Sequence, residues 1–365
     1  MKITNIATHV VRLPYENGGG KREIAGRPAT TLDILLVRLD TDEGLTGWGE
    51  AFGHAVVPGT RSVLETLVAP LLLGRDATDI AALMHELSQR LHLFGRNGPV
   101  TYALSGVDIA LWDLAGKRAG LPLYRLLGGA VRNDVAAYAS LLRYGEPEAV
   151  ARNAREAARR GYRDIKLHEI TEPAVRAARE ALGPEPLLMV DTNCPWTVSE
   201  AQGMARALGP HGLLWLEEPV WPPEDHEGLA AVRREGIPIA AGENAAGLHD
   251  FRHLFEVGAL DIAQPSVTKV GGVTETQKII ALAGNFGVRP VPHCAYFGPG
   301  YLAALHLVAT LPEDTRLERL FLDLEATLFP GFTDPVNGRI PVPERPGLGC
   351  DPDPAVLARY GDNRQ

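Results

Sequence analysis

Residues 165–170 read IKLHEI. In an extended chain, side chains two apart share a face. Lys166 and His168 therefore stand side by side at the end of an apolar run. Polar residues recur at the ends of the runs that follow: Asp191 with Asn193, Glu217, Glu243, Ser266, His293 and Glu318. From Lys166 onward the steps are 25, 26, 26, 23, 27 and 25 residues. One charged run-end is ordinarily solvated surface, but seven at a near-constant step are not. Asp191, Glu217 and Glu243 come from three successive runs and are expected to converge. Converging carboxylates repel unless a cation sits among them. An all-oxygen set suits Mg2+, with Mn2+ as a substitute, better than Zn2+, which favours His and Cys.

The basic residues flank that position. A metal beside bases fits proton removal next to a carboxylate. The cation and Lys166 would hold the carboxylate and stabilise the enolate that forms. A neighbouring base would take the α-proton. The Lys166 charge also favours the neutral, proton-accepting form of His168. A lone strand-end histidine is usually structural; two flanking a carboxylate cluster are better explained as acid and base.

A regular scaffold must hold these residues at one height. The runs DVAAYASL, DIKLHEI, LLMVDTN, LLWLEEP, IAAGEN, DIAQPSV, RPVPHC and RLERLFL alternate with Ala- and Glu/Arg-rich helical patterns such as EPAVRAAREAL. Strand–helix alternation predicts parallel strands with crossover helices. Eight repeats predict a (β/α)8 barrel, whose C-terminal strand ends form the site. The constant step is one strand plus one helix.

Upstream, residues 1 to about 55 read as strands, with a hairpin turning at Asp42, Glu43 and Gly44. YENGGGKREIAGRPAT, between them, reads as a mobile lid loop. VDIALWDLAGKRAG reads as a helix that Gly120 stops. LGGA at 127–130 marks a boundary. Beyond about 325 the chain is rich in Pro and Gly, with little periodicity.

The 365 residues suffice for a large domain and a smaller one. A net charge of -9 without any basic stripe argues against nucleic acid as a partner. No apolar run stands out as a membrane span, and the N-terminus lacks a signal-peptide core. The three cysteines, Cys194, Cys294 and Cys350, are widely spaced without a C-x-x-C pair. They are expected to be inert thiols in a reducing, cytoplasmic setting.

Taken in order, these motifs resemble the mandelate racemase/muconate lactonizing enzyme branch of the enolase superfamily. GVDIALWDLAGKRAGLPLYRLLGG resembles the segment closing that family's N-terminal capping domain. VDTN, LEEP and GEN resemble its metal motifs at Asp191, Glu217 and Glu243. TKVGGVTE and PHCAYFGPG resemble its sixth-strand turn and its seventh-strand catalytic histidine. The resemblance implies an α+β capping domain over 1–128, a (β/α) barrel over 129–325 and a C-terminal segment, 326–365, that packs back on the cap. It implies a small carboxylate substrate, Mg2+ and a homo-oligomer, dimer or octamer. It also implies that Glu318 lies where the racemase holds a general acid. Two departures stand out. His168 replaces the second lysine of the usual Lys-x-Lys. Ser266 replaces the aspartate that pairs with the seventh-strand histidine, so Ser266 or Gln264 is left to orient His293. Asn193 is a candidate substrate or supporting contact.

Dehydration of a hydroxy acid or sugar acid is the leading expectation, with His168 or His293 as base and His293 as acid. Racemisation or epimerisation is the alternative. A cycloisomerase is disfavoured by the missing sixth-strand lysine. A non-catalytic metal-binding barrel is disfavoured by the survival of the carboxylates, Lys166 and both histidines.

Overall fold

The computed structural model describes residues 1–20, 23–24, 27–312 and 315–362. The eight expected runs all form strands: β6 (Asp134–Ser140), β7 (Asp164–Leu167), β8 (Leu187–Asp191), β9 (Leu213–Glu217), β10 (Ile239–Ala241), β11 (Ile262–Ala263), β12 (Arg289–Pro290) and β13 (Leu317–Leu320). They pair in parallel in the order β12-β11-β10-β9-β8-β7-β6-β13. The Cys294 N–H donates to the Glu318 carboxylate across the β12/β13 seam, at 2.9 Å. This is the (β/α)8 barrel.

Period-two alternation builds its interior. Tyr138, Met189, Trp215, Ala240 and Ile262, on five strands, and Val291, just past β12, form an apolar cluster of their own. Two residues further along the chain from Met189, Trp215 and Val291 stand Asp191, Glu217 and His293. The cluster is thus the floor on which the polar residues rest.

The cap is an antiparallel sheet, ordered β14-β1-β4-β5. Its strands are β1 (Ile3–Glu16), β4 (Thr31–Thr41), β5 (Thr46–Ala51) and, from the tail, β14 (Asp323–Leu324). The expected hairpin turn lies between β4 and β5. Alternation splits the sheet's faces: Val10, Leu35, Val37 and Leu39 join the cap's helices, whereas Val11, Leu13, Ile34 and Leu36 join the barrel core. The helix Pro99–Ala119 packs flush on β5. A Cβ on Gly49 would sit 1.9 Å from the Gly106 carbonyl oxygen, so glycine is obligatory there.

Two acids of the cap dock it on the barrel. Glu50 accepts from the Gly300 N–H (2.9 Å) and Asp108 from the Thr274 N–H (3.0 Å), each in the first turn of a barrel helix. Such ends carry unpaired N–H groups and partial positive charge. The tail also adds β15 (Arg339–Pro341), antiparallel to β6, and the helix Pro354–Tyr360, which packs against β1.

Two expectations need correction. The helical stretch His54–Leu72 is long and apolar enough, by length and composition, to cross a membrane. It is nonetheless one-sided: Val57, Thr60, Leu64, Val68 and Leu72 are its buried stripe, packed on the cap core, while Pro58, Ser62 and Glu65 are exposed. The lid segment is not a plain loop either, because β2 (Glu23–Ile24) pairs with β3 (Arg27–Pro28). Lys21, Arg22, Ala25 and Gly26 lie outside the described residues. The start of the segment is tied to the barrel: the Tyr144 hydroxyl donates to the Asn17 carbonyl (2.9 Å) and Asn153 Nδ2 to that of Gly18 (3.1 Å).

Candidate active site

Lys166, inside β7, is fully buried. Its ammonium lies 2.8 Å from Glu217 Oε1, 2.8 Å from Glu318 Oε1 and 3.4 Å from Asp191 Oδ2. Burial disfavours the charge, but these carboxylates outweigh it and raise the Lys166 pKa well above the ordinary range. Lys166 is thus a fixed positive charge.

His168 lies just past the end of β7 and shares Asp191 with Lys166, as the i, i+2 spacing requires. Its Nδ1 contacts the Leu141 carbonyl, which can only accept, so Nδ1 carries a proton. Nε2 faces the site, 3.0 Å from Asp191 Oδ2. The expected influence of Lys166 on His168 is thereby altered. The Lys166 charge is taken up by Glu217 and Glu318, and the nearest charge to His168 Nε2 is negative.

Glu217 also accepts from Trp215 Nε1 (2.9 Å). Burial, together with the neighbouring Asp191 and Glu318, drives its pKa well up despite Lys166. Glu243 lies 2.7 Å from His293 Nε2. Burial would raise its pKa, but His293 and Lys269 hold it well below the ordinary carboxylate value. Glu218 is buried as well, raised by burial and by Glu243, and accepts from Asn244 and the Gly242 N–H.

Among the described residues, no three His, Cys, Asp or Glu side chains form a closed metal cage. The expected convergence of Asp191, Glu217 and Glu243 is open because each carboxylate has turned to its own donor: His168, Lys166 with Trp215, and His293. The donor set nonetheless fits a hard divalent cation. Four buried carboxylates (Asp191, Glu217, Glu218 and Glu318) and the partly buried Glu243 face two buried ammonium groups, Lys166 and Lys269. An oxygen-rich excess of negative charge is what Mg2+ would neutralise.

His293 follows β12 on the Glu243 side. Its Nδ1 lies 3.1 Å from Ser266 Oγ, so Ser266 does orient the ring. Gln264 does not: its buried amide has no hydrogen-bond partner among the described residues. Asn193 donates to Asp191 Oδ1 through both its backbone N–H and Nδ2, each at 3.0 Å. Asn193, Cys194 and Glu218 all have positive φ, and all follow directly on β8 and β9. Strain in non-glycine backbone persists where the surroundings enforce it, commonly at functional sites.

Glu318 departs from the general-acid expectation. Burial would raise its pKa, but Lys166 and His293 hold it at about 2. It stands as an ionised partner of Lys166 rather than a proton donor. The Cys194 and Cys294 side chains are free thiols. Burial pushes both thiols up, and the Cys194 thiol donates to Glu218.

Sequence reasoning missed three supports. Arg143, exposed at the rim beyond β6, donates to the carbonyls of His168 (2.7 Å) and Thr192 (2.9 Å). Glu169, buried next to His168, accepts from the Tyr144 N–H (2.7 Å). Tyr296 reaches back to His293 and Ser266. IKLHEI hinted at Glu169, an acid in an apolar frame. Nothing in the sequence pattern marked Arg143 or the target of Tyr296.

Residues 22–128 match the family model described as mandelate racemase/muconate lactonizing enzyme, N-terminal domain, and residues 149–356 the one described as enolase C-terminal domain-like. The chain is 33% identical to the D-galactarolactone cycloisomerase of Agrobacterium fabrum, covering 99% of each chain. It is 31% identical to the arabinonate dehydratase of Saccharolobus solfataricus, covering 98% of this chain and 99% of that one. The crystal structure of a racemase from Streptomyces coelicolor A3(2) with bound magnesium superposes with a TM-score of 0.85 at 31% identity, over 99% of this chain and 100% of that one.

Proposed function

Because the chain belongs to the mandelate racemase/muconate lactonizing enzyme branch of the enolase superfamily, we propose that it removes the α-proton of a sugar-acid carboxylate and expels the oxygen on the β-carbon. The carrying observation is the pair of imidazoles that flank the carboxylate cluster. His168 Nε2 stands on the Asp191 side and His293 Nε2 on the Glu243 side.

Asp191, Glu217 and Glu243 would hold Mg2+. When bound, the cation supplies charge stabilisation for the enolate oxygens. Lys166 adds a fixed positive charge to the same carboxylate, and Glu318 keeps Lys166 ionised and in place. His168 would be the base through Nε2, the nitrogen that faces the site; here Nε2 donates to Asp191, and it is free to take the α-proton when that carboxylate holds the cation instead. His293 protonates the departing oxygen. Its Nδ1 partner is a neutral hydroxyl rather than a carboxylate, and that suits an acid better than a strong base. Loss of a β-hydroxyl as water leaves an enol, which becomes a 2-keto acid by protonation at the β-carbon.

A second reading follows from the Agrobacterium relative. If the β-oxygen belongs to a ring, the same elimination opens the ring and the product is an isomer. The missing sixth-strand lysine therefore weighs less against a cycloisomerase than the sequence alone implied. Racemisation would instead need His168 and His293 to trade roles.

The three cysteines are unpaired, which supports a cytoplasmic setting. Exposed Leu93, Phe94 and Trp221, at 79%, 60% and 66%, support association with further copies of the chain. A panel of sugar acids incubated with the enzyme and Mg2+ tests the assignment. A 2-keto acid product establishes dehydration, and a ring-opened isomer establishes the second reading. A recovered α-epimer as the sole product overturns both.

A further inference from the structure

We propose that Arg143 makes the site selective for sugar diacids, by binding a second carboxylate at the end of the substrate away from the reacting one. The placement of the first carboxylate, beside Lys166, rests on the chemistry proposed above; recognition of the second does not. A guanidinium carries five N–H donors in one plane. Nε of Arg143 donates to the His168 carbonyl (2.7 Å), and Nη2 donates to the Thr192 carbonyl (2.9 Å) and reaches Asn193 Oδ1 (3.4 Å). Nη1 has no partner among the described residues, and Arg143 forms no ion pair among them. By contrast, Arg159, Arg160 and Arg176, nearby in the chain, each meet a carboxylate.

The exposed guanidinium is held in place from both sides. Its own bonds tie it to the ends of β7 and β8. The loop that carries it is pinned by Glu169, which accepts from the N–H groups of Tyr144 (2.7 Å) and Gly145 (3.2 Å). A fork held in this way loses little freedom when it meets a carboxylate. It is also one side chain from the metal position, because Asn193 meets Arg143 through Oδ1 and donates to Asp191 Oδ1 through Nδ2 (3.0 Å). The carboxylate cluster would repel a second negative group on the substrate unless a cation answers it. Lys166 already pairs with Glu217 and Glu318. Lys269 lies over the Phe52 ring and acts on Glu243. Of the cations around the site, that leaves Arg143, at the rim, to receive the far end of a diacid.

The test is titration calorimetry of the full chain saturated with Mg2+, with adipate and its monoamide, adipamate, as probes. Neither probe carries a β-oxygen, so neither can undergo elimination and binding alone is read. The wild type should bind adipate about tenfold more tightly than adipamate, the worth of a hydrogen bond to a charged group. Arg143→Gln should abolish that ratio. Arg143→Lys, which keeps the charge without the fork, should retain part of it. A clamp that only joined the carbonyls of His168 and Thr192 would, once removed, weaken both probes alike and leave the ratio intact. With sugar acids that are turned over, Arg143→Gln should raise KM about tenfold for the diacid and leave KM for the matching monoacid unchanged. A wild type with no preference for adipate, or a preference that survives in Arg143→Gln, overturns the proposal, whether or not the elimination occurs.

Discussion

Lys166 and Glu318 form a fully buried ion pair inside the barrel, Nζ to Oε1 at 2.8 Å, with side-chain exposures of 0% and 1%. Removing one partner strands the other in a low-dielectric interior. Glu318→Ala should cost about 3–5 kcal/mol, read from urea denaturation. The pair should also show in acid. The Glu318 pKa is depressed from 4.5 to about 2, so its contribution is complete above about pH 4.5 and is lost as pH falls towards 2. A loss below 1 kcal/mol would show that Lys166 has no need of Glu318.

Glu50 should act in the opposite sense. Burial pushes its pKa from 4.5 up to about 8, even though it accepts N–H groups from the barrel helix. Between those values the folded chain binds a proton that the unfolded chain has released, so stability falls as pH rises. Glu50→Gln keeps an acceptor for the Gly300 N–H and removes the titration. Thermal melts should show the variant gaining on the wild type from pH 5 to pH 9. An unchanged difference would mean that the docking carboxylate stays ionised throughout.

Mg2+ should stabilise the fold by linkage, about 2.7 kcal/mol at a hundredfold excess over Kd. Glu243→Gln, which removes one charge from the oxygen set, should shrink the Mg2+-dependent rise in Tm. A wild-type Tm insensitive to Mg2+ would contradict the assignment of Asp191, Glu217 and Glu243 as ligands.

His168→Ala should abolish α-proton exchange on one face of the substrate, leaving any exchange by His293 on the other. The readout is deuterium incorporation at the α-carbon, followed separately for two α-epimers. Retained exchange with both epimers would remove His168 as the base.

Much of this was legible in the sequence because barrels are periodic. The 25- and 26-residue steps between Lys166, Asp191, Glu217 and Glu243 are set by one strand plus one helix; the structure places Lys166 against Asp191 and Glu217, while Glu243 pairs with His293. The role of Ser266 was half legible. Its position was clear, but only the fold shows that it, and not Gln264, meets His293. What escaped is what tertiary contacts alone create. Tyr296 doubles back on a residue three before it, Arg143 spans two loops, and Glu50 and Asp108 dock on helices more than 150 residues away. The amphipathic stripe from Val57 to Leu72 was masked by its many partly apolar neighbours.

The central claim is that this site takes an α-proton and then expels a β-oxygen. Running the reaction in D2O with Mg2+ and a turned-over sugar acid tests it most directly, by NMR of the product. The account predicts a 2-keto acid carrying one solvent deuterium on the former β-carbon, with formation slowed when the substrate bears deuterium at its α-carbon. A product without deuterium at that carbon, formed at the same rate from α-deuterated substrate, would contradict it.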